Sequence, residues 1–129
     1  MSNTNNIEEI KIEEVEKIEE TPKPYTIRNV KGTDIFLFLK LIKKIGIRNF
    51  KEAFLEKDKR TRTFLLLDLV FDRISECETE VNEILSKLSG MEAKEVANQD
   101  ADVYMAMIYD VIESPKFEDF IRVALRSLR

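Results

Sequence analysis

The chain has 129 residues, of which 43% are hydrophobic and 36% charged, and its net charge is −4. This length and composition indicate one small globular domain. The absence of histidine and the presence of a single cysteine exclude a zinc finger, a disulfide and every nucleophile that is activated by histidine. These absences exclude most of the common catalytic and structural-metal chemistries, and we predict no catalytic residue, no metal site and no cofactor.

The compartment can also be argued from composition. The chain opens with acidic and polar residues rather than the basic start and apolar stretch of a signal peptide. No window approaches the roughly 20 apolar residues that a membrane-spanning helix needs. The one thiol, Cys77, lies between Glu76 and Glu78, which disfavour a thiolate, so we expect it to be buried or inert. These features predict a cytoplasmic protein with no membrane segment.

The first 24 residues are predicted to be an N-terminal extension. Residues 1–20 carry seven acidic and two basic side chains, with too few large apolar groups to offset the entropy cost of ordering. We predict a mostly disordered segment that ends at Pro22 and Pro24, followed by a folded domain over residues 25–129. The extension is either a solvating tail or an arm that covers a basic surface until a partner displaces it.

The folded domain begins with an ambiguous segment and then a clear helix. Residues 25–30 alternate apolar and polar side chains, which is compatible with a short extended segment. Thr33 and Asp34 are good helix caps, and Gly46 is placed to end the helix. The pattern predicts a first helix over about residues 34–45.

The next elements are basic and then leucine-rich. A second short helix is predicted over about residues 48–56, followed by an exposed basic turn over residues 57–62. The leucines predict a third helix over residues 63–74. Ser75 and Glu78 have the spacing of a capping box, so we expect a break at Ser75.

The second half of the chain is helical throughout. A fourth helix should carry the apolar stripe Val81, Ile84, Leu85 and Leu88 and end at Gly90. A short helical turn at residues 92–97 should lead to a helix that is capped by Asp100 or Asp102 and ends near Glu113. Ser114 and Pro115 should open the last helix, whose apolar face is Phe117, Ile121, Ala124 and Leu128. The sequence therefore predicts an all-α fold of five to seven short helices, with at most one short extended segment.

Three of these helices carry more apolar side chains than one buried stripe can hold. On a helical wheel, Phe36 and Leu37 fall beside the lysines of the first helix, and the third and sixth helices have a similar surplus. Each such residue can be explained as core covered from a second side, but three surplus faces in so small a domain favour a partner or an oligomer. The apolar candidates for partner contact are Phe36, Leu37, Leu65, Leu69, Met105 and Met107.

Charge is segregated along the chain. Residues 40–62 hold nine bases and three acids, whereas residues 68–119 hold fourteen acids and four bases. Such polarity can orient a partner or further copies of the chain. The orientation candidates are Lys40, Lys43, Lys44 and Arg48 against Asp110, Glu113, Glu118 and Asp119.

Several blocks resemble one family. Residues 31–47, Lys-Gly-Thr-Asp-Ile-Phe-Leu-Phe-Leu-Lys-Leu-Ile-Lys-Lys-Ile-Gly-Ile, followed by Phe50 to Phe54, are similar to the opening of the tail assembly chaperones of long-tailed bacteriophages. The closing helices of that family resemble the blocks at residues 80–90, 93–96, 102–112 and 115–120, including the acidic-aromatic segment Glu118-Asp119-Phe120. The resemblance spans about residues 26–128 and leaves residues 1–20 outside it.

The resemblance implies a non-enzymatic chaperone in the cytoplasm of a bacterial host. Such chaperones coat the tape measure protein while tail tube subunits polymerise around it, and they are absent from the mature virion. Members of the family are often also made as a longer product, through a ribosomal frameshift near the end of the gene, whose extension recruits tail tube protein. The expected partners are the tape measure protein, tail tube protein and further copies of the chain, with no nucleic acid and no membrane.

Two alternatives remain open from the sequence. A small helical regulatory or nucleic-acid-binding protein would use the basic stretch over residues 40–62 and would bind with a steep salt dependence. A structural tail or head-completion protein would instead be retained in the particle.

Overall fold

The computed structural model describes Ile18 and residues 23–127, and this part of the chain has an all-α fold. A 3₁₀ turn at Gly32–Asp34 comes before seven α-helices, and no strand occurs among the described residues. The helices are α1 (Ile35–Ile45), α2 (Ile47–Phe54), α3 (Lys59–Asp72), α4 (Ile74–Ser89), α5 (Ala93–Ala97), α6 (Ala101–Glu113) and α7 (Pro115–Ser127). The predicted fold class is confirmed. No described helix is both long enough and apolar enough to cross a membrane.

The helices share one hydrophobic core. Helix α1 packs mainly on α4, while α3 packs against α2 and α6, and α6 packs against α7. Phe38 of α1 lies 5.6 Å, ring centroid to ring centroid, from both Phe117 and Phe120 of α7. Because each buried aromatic ring contributes about 2–3 kcal/mol, this cluster holds the first and last helices together.

The segment before α1 is extended and is tied to the end of α4. The Arg28 amide donates to the Leu88 carbonyl oxygen over 2.9 Å. The Arg28 guanidinium donates to both oxygens of Asp34 at 2.9 Å, and the Lys31 amide donates to the same carboxylate at 2.8 Å. Asp34 is 1% exposed, and its hydrogen bonds with Arg28 hold its pKa below the usual value. Asp34 occupies the predicted cap position, but its side chain serves this ion pair instead of capping α1.

The helix ends that were predicted from glycine or proline are confirmed, and two other predicted helix boundaries are wrong. Gly46 (φ +105°) and Gly90 (φ +81°) end α1 and α4, and Pro115 opens α7. The predicted basic turn over residues 57–62 is wrong from Lys59 onward, because the Asp58 carboxylate caps α3 by accepting from the Thr61 amide at 2.9 Å.

The break between α3 and α4 falls at Arg73 rather than at Ser75. Helix α4 starts at Ile74 without a side-chain cap, and Ser75 lies inside its first turn. The predicted capping box is therefore not formed. At the other end of the chain, Leu128 lies outside the described residues, and Leu125 is a buried residue of α7.

The predicted extension over residues 1–24 falls mostly outside the described part of the chain. Ile18 is helical, 6% exposed and a member of the core cluster. Lys23 and Pro24 are exposed, and Lys23 forms an ion pair of 3.0 Å with Asp110. Ile18 therefore belongs to the hydrophobic core although it lies within the predicted extension, and the other residues before Lys23 lie outside the described part of the chain.

Candidate functional site

Three large hydrophobic side chains of the described chain are exposed. Phe36 is 76%, Leu55 65% and Val123 56% accessible to solvent. Phe36 lies on the predicted outer face of α1, one and two turns before the exposed residues Lys40 and Lys43. Phe36 was expected from the wheel of α1. The same wheel arithmetic on α7 places Val123 away from the buried stripe, whereas Leu55 follows the last residue of α2 and gives no periodic signal.

The other predicted apolar candidates are divided between surface and interior. Leu37 is half-buried against the core. Leu65 and Leu69 are also half-buried, and they line a groove of about 290 Å³ between α2 and α3 together with Glu52 and Asp68. These leucines are covered on their inner side and reachable on their outer side.

The prediction for Met107 is wrong. Its side chain is 0% exposed, because α6 is packed against α3 and against α7 and Met107 faces inward. Met105 is half-buried and lines a surface groove beside Phe71 and Ile74. Of the two methionines, Met105 is the one that a partner can reach.

The predicted basic residues lie on the surface of the first two helices. Lys40, Lys43 and Arg48 are exposed. Lys44 is also exposed but is already engaged, because its ammonium group lies 2.9 Å from Glu80 and donates to the Glu76 carbonyl oxygen at 3.2 Å. Lys40, Lys43 and Arg48 form no ion pair with a described residue, whereas Lys44 joins α1 to α4.

The predicted acidic residues are mostly used inside the molecule. Asp110 accepts from Lys23 at 3.0 Å and from the Tyr25 hydroxyl at 2.7 Å. Burial and this carboxylate raise the pKa of Tyr25. Asp110 therefore fixes the N-terminal segment to α6 and is not a free docking charge.

Two further predicted acids behave in the same way. Glu113 lies 3.3 Å from Lys59 and accepts from the Thr63 hydroxyl. Glu118 lies 3.6 Å from Arg62 and 3.0 Å from Arg122. These pairs connect α3 with α6 and α7, so the orientation role predicted for Glu113 and Glu118 is corrected to an internal one. Asp119 is exposed and lies 3.6 Å from Arg122.

A groove of about 420 Å³ lies where the end of α2, the start of α3 and the end of α7 meet, and we call it the basic groove. Its charged lining is five cations and one carboxylate: Lys51, Lys57, Arg62, Arg122, Arg126 and Glu56. The Arg62 guanidinium lies 5.7 Å from the centroid of the Phe54 ring, and Phe54, Leu55 and Leu125 form the apolar part. This groove fits a partner that presents carboxylates around an apolar contact.

A second groove, of about 470 Å³, lies at the other end of α3, and we call it the acidic groove. Phe71, Ile74, Tyr104 and Met105 give it an apolar floor, and Glu78 is the charged residue of its lining. The Tyr104 hydroxyl donates to Asn82 at 2.5 Å. Burial, with Glu78 adding to it, raises the pKa of Tyr104 to about 12, so this hydroxyl stays protonated at neutral pH.

Cys77 supports no thiol chemistry. It is 0% exposed, and its Sγ lies 3.9 Å from the Val70 carbonyl oxygen. Burial raises the pKa of the thiol above its ordinary value. The thiol is therefore a small apolar group of the core.

No group of three or more Cys, Asp or Glu side chains in the described part of the chain is arranged to hold a metal ion. Comparison of the chain with known protein families, with curated proteins and with solved structures finds no match. The described surface presents an exposed phenylalanine, Phe36, beside two exposed lysines, and two grooves of different charge.

Proposed function

We propose that this chain is a non-enzymatic chaperone of bacteriophage tail assembly. In this role it coats the tape measure protein in the cytoplasm of the bacterial host, helps to recruit tail tube subunits, and is absent from the mature virion. The proposal joins the sequence resemblance over residues 26–128 to the surface of the helical domain.

The single observation that carries the proposal is the exposure of Phe36. Phe36 is 76% exposed, in a domain whose other aromatic rings lie in or against the core, so it offers apolar surface that a partner can bury with a gain of about 2–3 kcal/mol. Its neighbours on the outer face of α1, Lys40 and Lys43, are exposed cations. This combination suits a partner that presents an apolar stripe flanked by carboxylates, as an amphipathic helix does.

The physical mechanism would be that of a holdase. A long helical partner exposes apolar residues at regular spacing, and each copy of the chaperone covers one short stretch of it. Phe36 would insert into the stripe, while the half-buried Leu37 would extend the apolar contact. Contacts of this size are individually weak, so coverage depends on many copies acting together, and arriving tube subunits can displace them one at a time.

Co-expression with the tape measure protein of the same genome tests this proposal. We expect the tape measure protein to become soluble and to co-purify with several copies of this chain. Phe36→Ser should reduce co-purification at least about tenfold, because a buried phenylalanine contributes about 2–3 kcal/mol. Val123→Ser is the matched control, since Val123 is also exposed but lies on α7.

Two results would argue against the proposal. One is a tape measure protein that stays insoluble in the presence of this chain; the other is an equal effect of Phe36→Ser and Val123→Ser. If the chain instead binds nucleic acid through residues 40–62, its affinity should fall steeply with salt. If it is a structural tail or head-completion protein, mass spectrometry will find it in purified particles.

A longer product that carries a tube-binding extension belongs to the same proposal. A slippery run of bases near the codon for Leu128, followed by an overlapping reading frame, would support it. Detection of a larger protein that contains residues 26–128 in infected cells would be direct support.

A further inference from the structure

The basic groove holds more positive charge than the described residues neutralise. Five cations and one carboxylate line it. Arg62 and Arg122 both approach Glu118, at 3.6 Å and 3.0 Å. The other three cations are exposed and form no ion pair with a described residue: Lys51, Lys57 and Arg126. The groove can therefore accept several carboxylates from a segment that docks in it.

The same groove has an apolar side. Leu55 is 65% exposed, and Phe54 and Leu125 extend the apolar lining. The groove has a volume of about 420 Å³, which is within the range of sites that enclose a small ligand or a short stretch of peptide. A segment that fits it must carry both carboxylates and aliphatic side chains.

The chain itself contains a segment of this composition. Residues 1–17, which we call the acidic segment, lie outside the described part of the chain. They hold five glutamates and two lysines, so that their side chains carry a net negative charge opposite to that of the groove. Their aliphatic side chains stand among the glutamates, at Ile7, Ile10, Ile12 and Val15. The charge and the apolar content of the acidic segment both complement the basic groove.

The chain enters the domain near the basic groove. Lys23 pairs with Asp110 of α6 at 3.0 Å. One helical turn further along α6, Glu113 pairs with Lys59 at 3.3 Å, and Lys59 lies one turn before the groove residue Arg62 on α3. Seventeen residues span at most about 60 Å when extended, whereas a domain of about 100 residues has a radius of gyration of about 13 Å. The length of the acidic segment therefore allows it to reach the groove.

We propose that the acidic segment docks in the basic groove of its own chain, with its glutamates on the groove cations and an aliphatic side chain beside Leu55. Burial of Ile18 in the core keeps the segment attached to the domain, which gives it an effective concentration at the groove in the millimolar range. A foreign acidic peptide must then displace the segment to occupy the groove. The proposal rests on residues of this chain and does not depend on the proposed chaperone function.

Carbodiimide crosslinking of the full wild-type chain tests the proposal, because this reagent joins a carboxylate to an amine only when the two are in contact. We expect crosslinks from the glutamates at residues 8–16 to Lys51 and Lys57. The crosslinks should decrease at about 1 M salt, which screens charges beyond about 3 Å. In a mixture of unlabelled and ¹⁵N-labelled chains, mass spectrometry should find both crosslinked peptides with the same label, as docking within one chain requires.

A pair of charge variants makes the test specific for the groove. Lys57→Glu combined with Arg126→Glu should reduce crosslinking of the acidic segment to Lys51 at least about tenfold, because it places like charges across the contact. Lys40→Glu combined with Lys43→Glu is the matched control, since it makes the same change of charge at two exposed lysines of α1 outside the groove. The control should leave this crosslinking unchanged. Circular dichroism will establish that each variant is folded.

A charge exchange adds a rescue experiment. Glu13→Lys combined with Glu14→Lys should weaken crosslinking of the acidic segment to the wild-type groove. Added to the chain that carries Lys57→Glu and Arg126→Glu, the same two changes should restore crosslinks between residues 13–14 and the groove, because the opposite charges are then exchanged between the two sides.

Three outcomes would overturn the proposal. The first is a wild-type chain without crosslinks between the acidic segment and Lys51 or Lys57 at low salt. The second is an equal loss in the groove variant and in the α1 control, which would mean that the segment responds only to the overall charge of the domain. The third is crosslinks that join peptides of different label in the statistical proportion, which would place the segment on another molecule.

Discussion

Asp34 is a carboxylate that the fold removes from solvent and compensates with Arg28. Because the Arg28 guanidinium lowers the pKa of Asp34 below its ordinary value of 3.8, the folded state binds this proton less readily than the unfolded chain. The stabilisation is therefore complete above about pH 4 and is lost as pH falls through the lowered pKa. Asp34 thereby stabilises the fold at neutral pH.

Asp34→Asn should destabilise the protein by about 1–3 kcal/mol at pH 7, because it removes the charge of a buried carboxylate that accepts hydrogen bonds from Arg28 and from the Lys31 amide. Urea unfolding from pH 7 down to pH 3 measures this. The difference between wild type and variant should shrink below pH 4 as the wild-type carboxylate is protonated. Asp68→Asn, at an exposed carboxylate with no ion pair to a described residue, should change stability by less than about 0.5 kcal/mol. A constant difference at all pH values would contradict this assignment.

Met105 and Met107 separate a surface contact from a core contact on one helix. Met107→Ala should cost about 3 kcal/mol, since it removes a fully buried side chain and leaves a cavity. Met105→Ala should cost about 1 kcal/mol or less, because its side chain is half-buried in the acidic groove. Chemical denaturation of both variants gives the comparison. Equal losses would mean that the acidic groove is closed in solution.

The periodicity of a sequence identifies the buried stripe of a helix but not whether a second face is covered. Phe36 and Met107 both lie outside a simple amphipathic pattern, yet one is 76% exposed and the other 0%. The difference comes from the packing of α6 between α3 and α7, while Phe36 remains on an uncovered part of α1. Only the arrangement of the helices decides whether such a second face is buried. Some of the predicted contact residues are therefore exposed, and others lie in the core.

Helix ends that depend on backbone geometry were predictable, and those that depend on a side chain were less so. Gly46 and Gly90 adopt positive φ angles that other residues resist, so their effect is local. Asp58 and Ser75 are both residue types suited to capping a helix. Of the two, only Asp58 accepts a hydrogen bond from a helix amide. A serine inside a helical run can equally continue the helix, which is what happens at the start of α4.

Gly46 joins α1 to α2 in a conformation that suits glycine, with φ +105° and ψ +116°. An added Cβ would make an ordinary contact, at 3.4 Å, with the side-chain nitrogen Nδ2 of Asn49, so the cost of a side chain here comes from the backbone conformation. Gly46→Ala should therefore cost about 1–3 kcal/mol. Gly32→Ala is the matched control, since a Cβ there meets nothing within 4 Å, and its stability should stay within about 0.5 kcal/mol of wild type or rise slightly. Thermal unfolding of both variants provides the measurement, and equal behaviour would remove the backbone argument.

The overall charge polarity was visible in the sequence, but the positions that express it were not. Asp110 pairs with Lys23, 87 residues away, and Glu113 pairs with Lys59. Counting charges along the sequence does not reveal such pairs between distant residues, so it treats these carboxylates as unpaired. The acidic surface that remains lies at the end of α3 around Glu78, and the basic one lies at its start around Lys57. Because of this long-range pairing, Asp110 and Glu113 are not part of the free acidic surface that the sequence had predicted.

The helices of the bundle do not fill their common centre completely. A cavity of about 40 Å³ lies among side chains of α1, α2, α3, α4, α6 and α7, with an entirely apolar lining that includes Val111. Val111→Ile adds one methylene toward this space and should stabilise the protein by about 0.5–1 kcal/mol. Val96 is also buried, at 0% exposure, but does not line the cavity. Val96→Ile should therefore destabilise by about 1 kcal/mol or more through overpacking. If the cavity persists in solution, denaturant unfolding will show a higher free energy of unfolding for Val111→Ile and a lower one for Val96→Ile. A lower free energy of unfolding in both variants would mean that the helices close around the cavity.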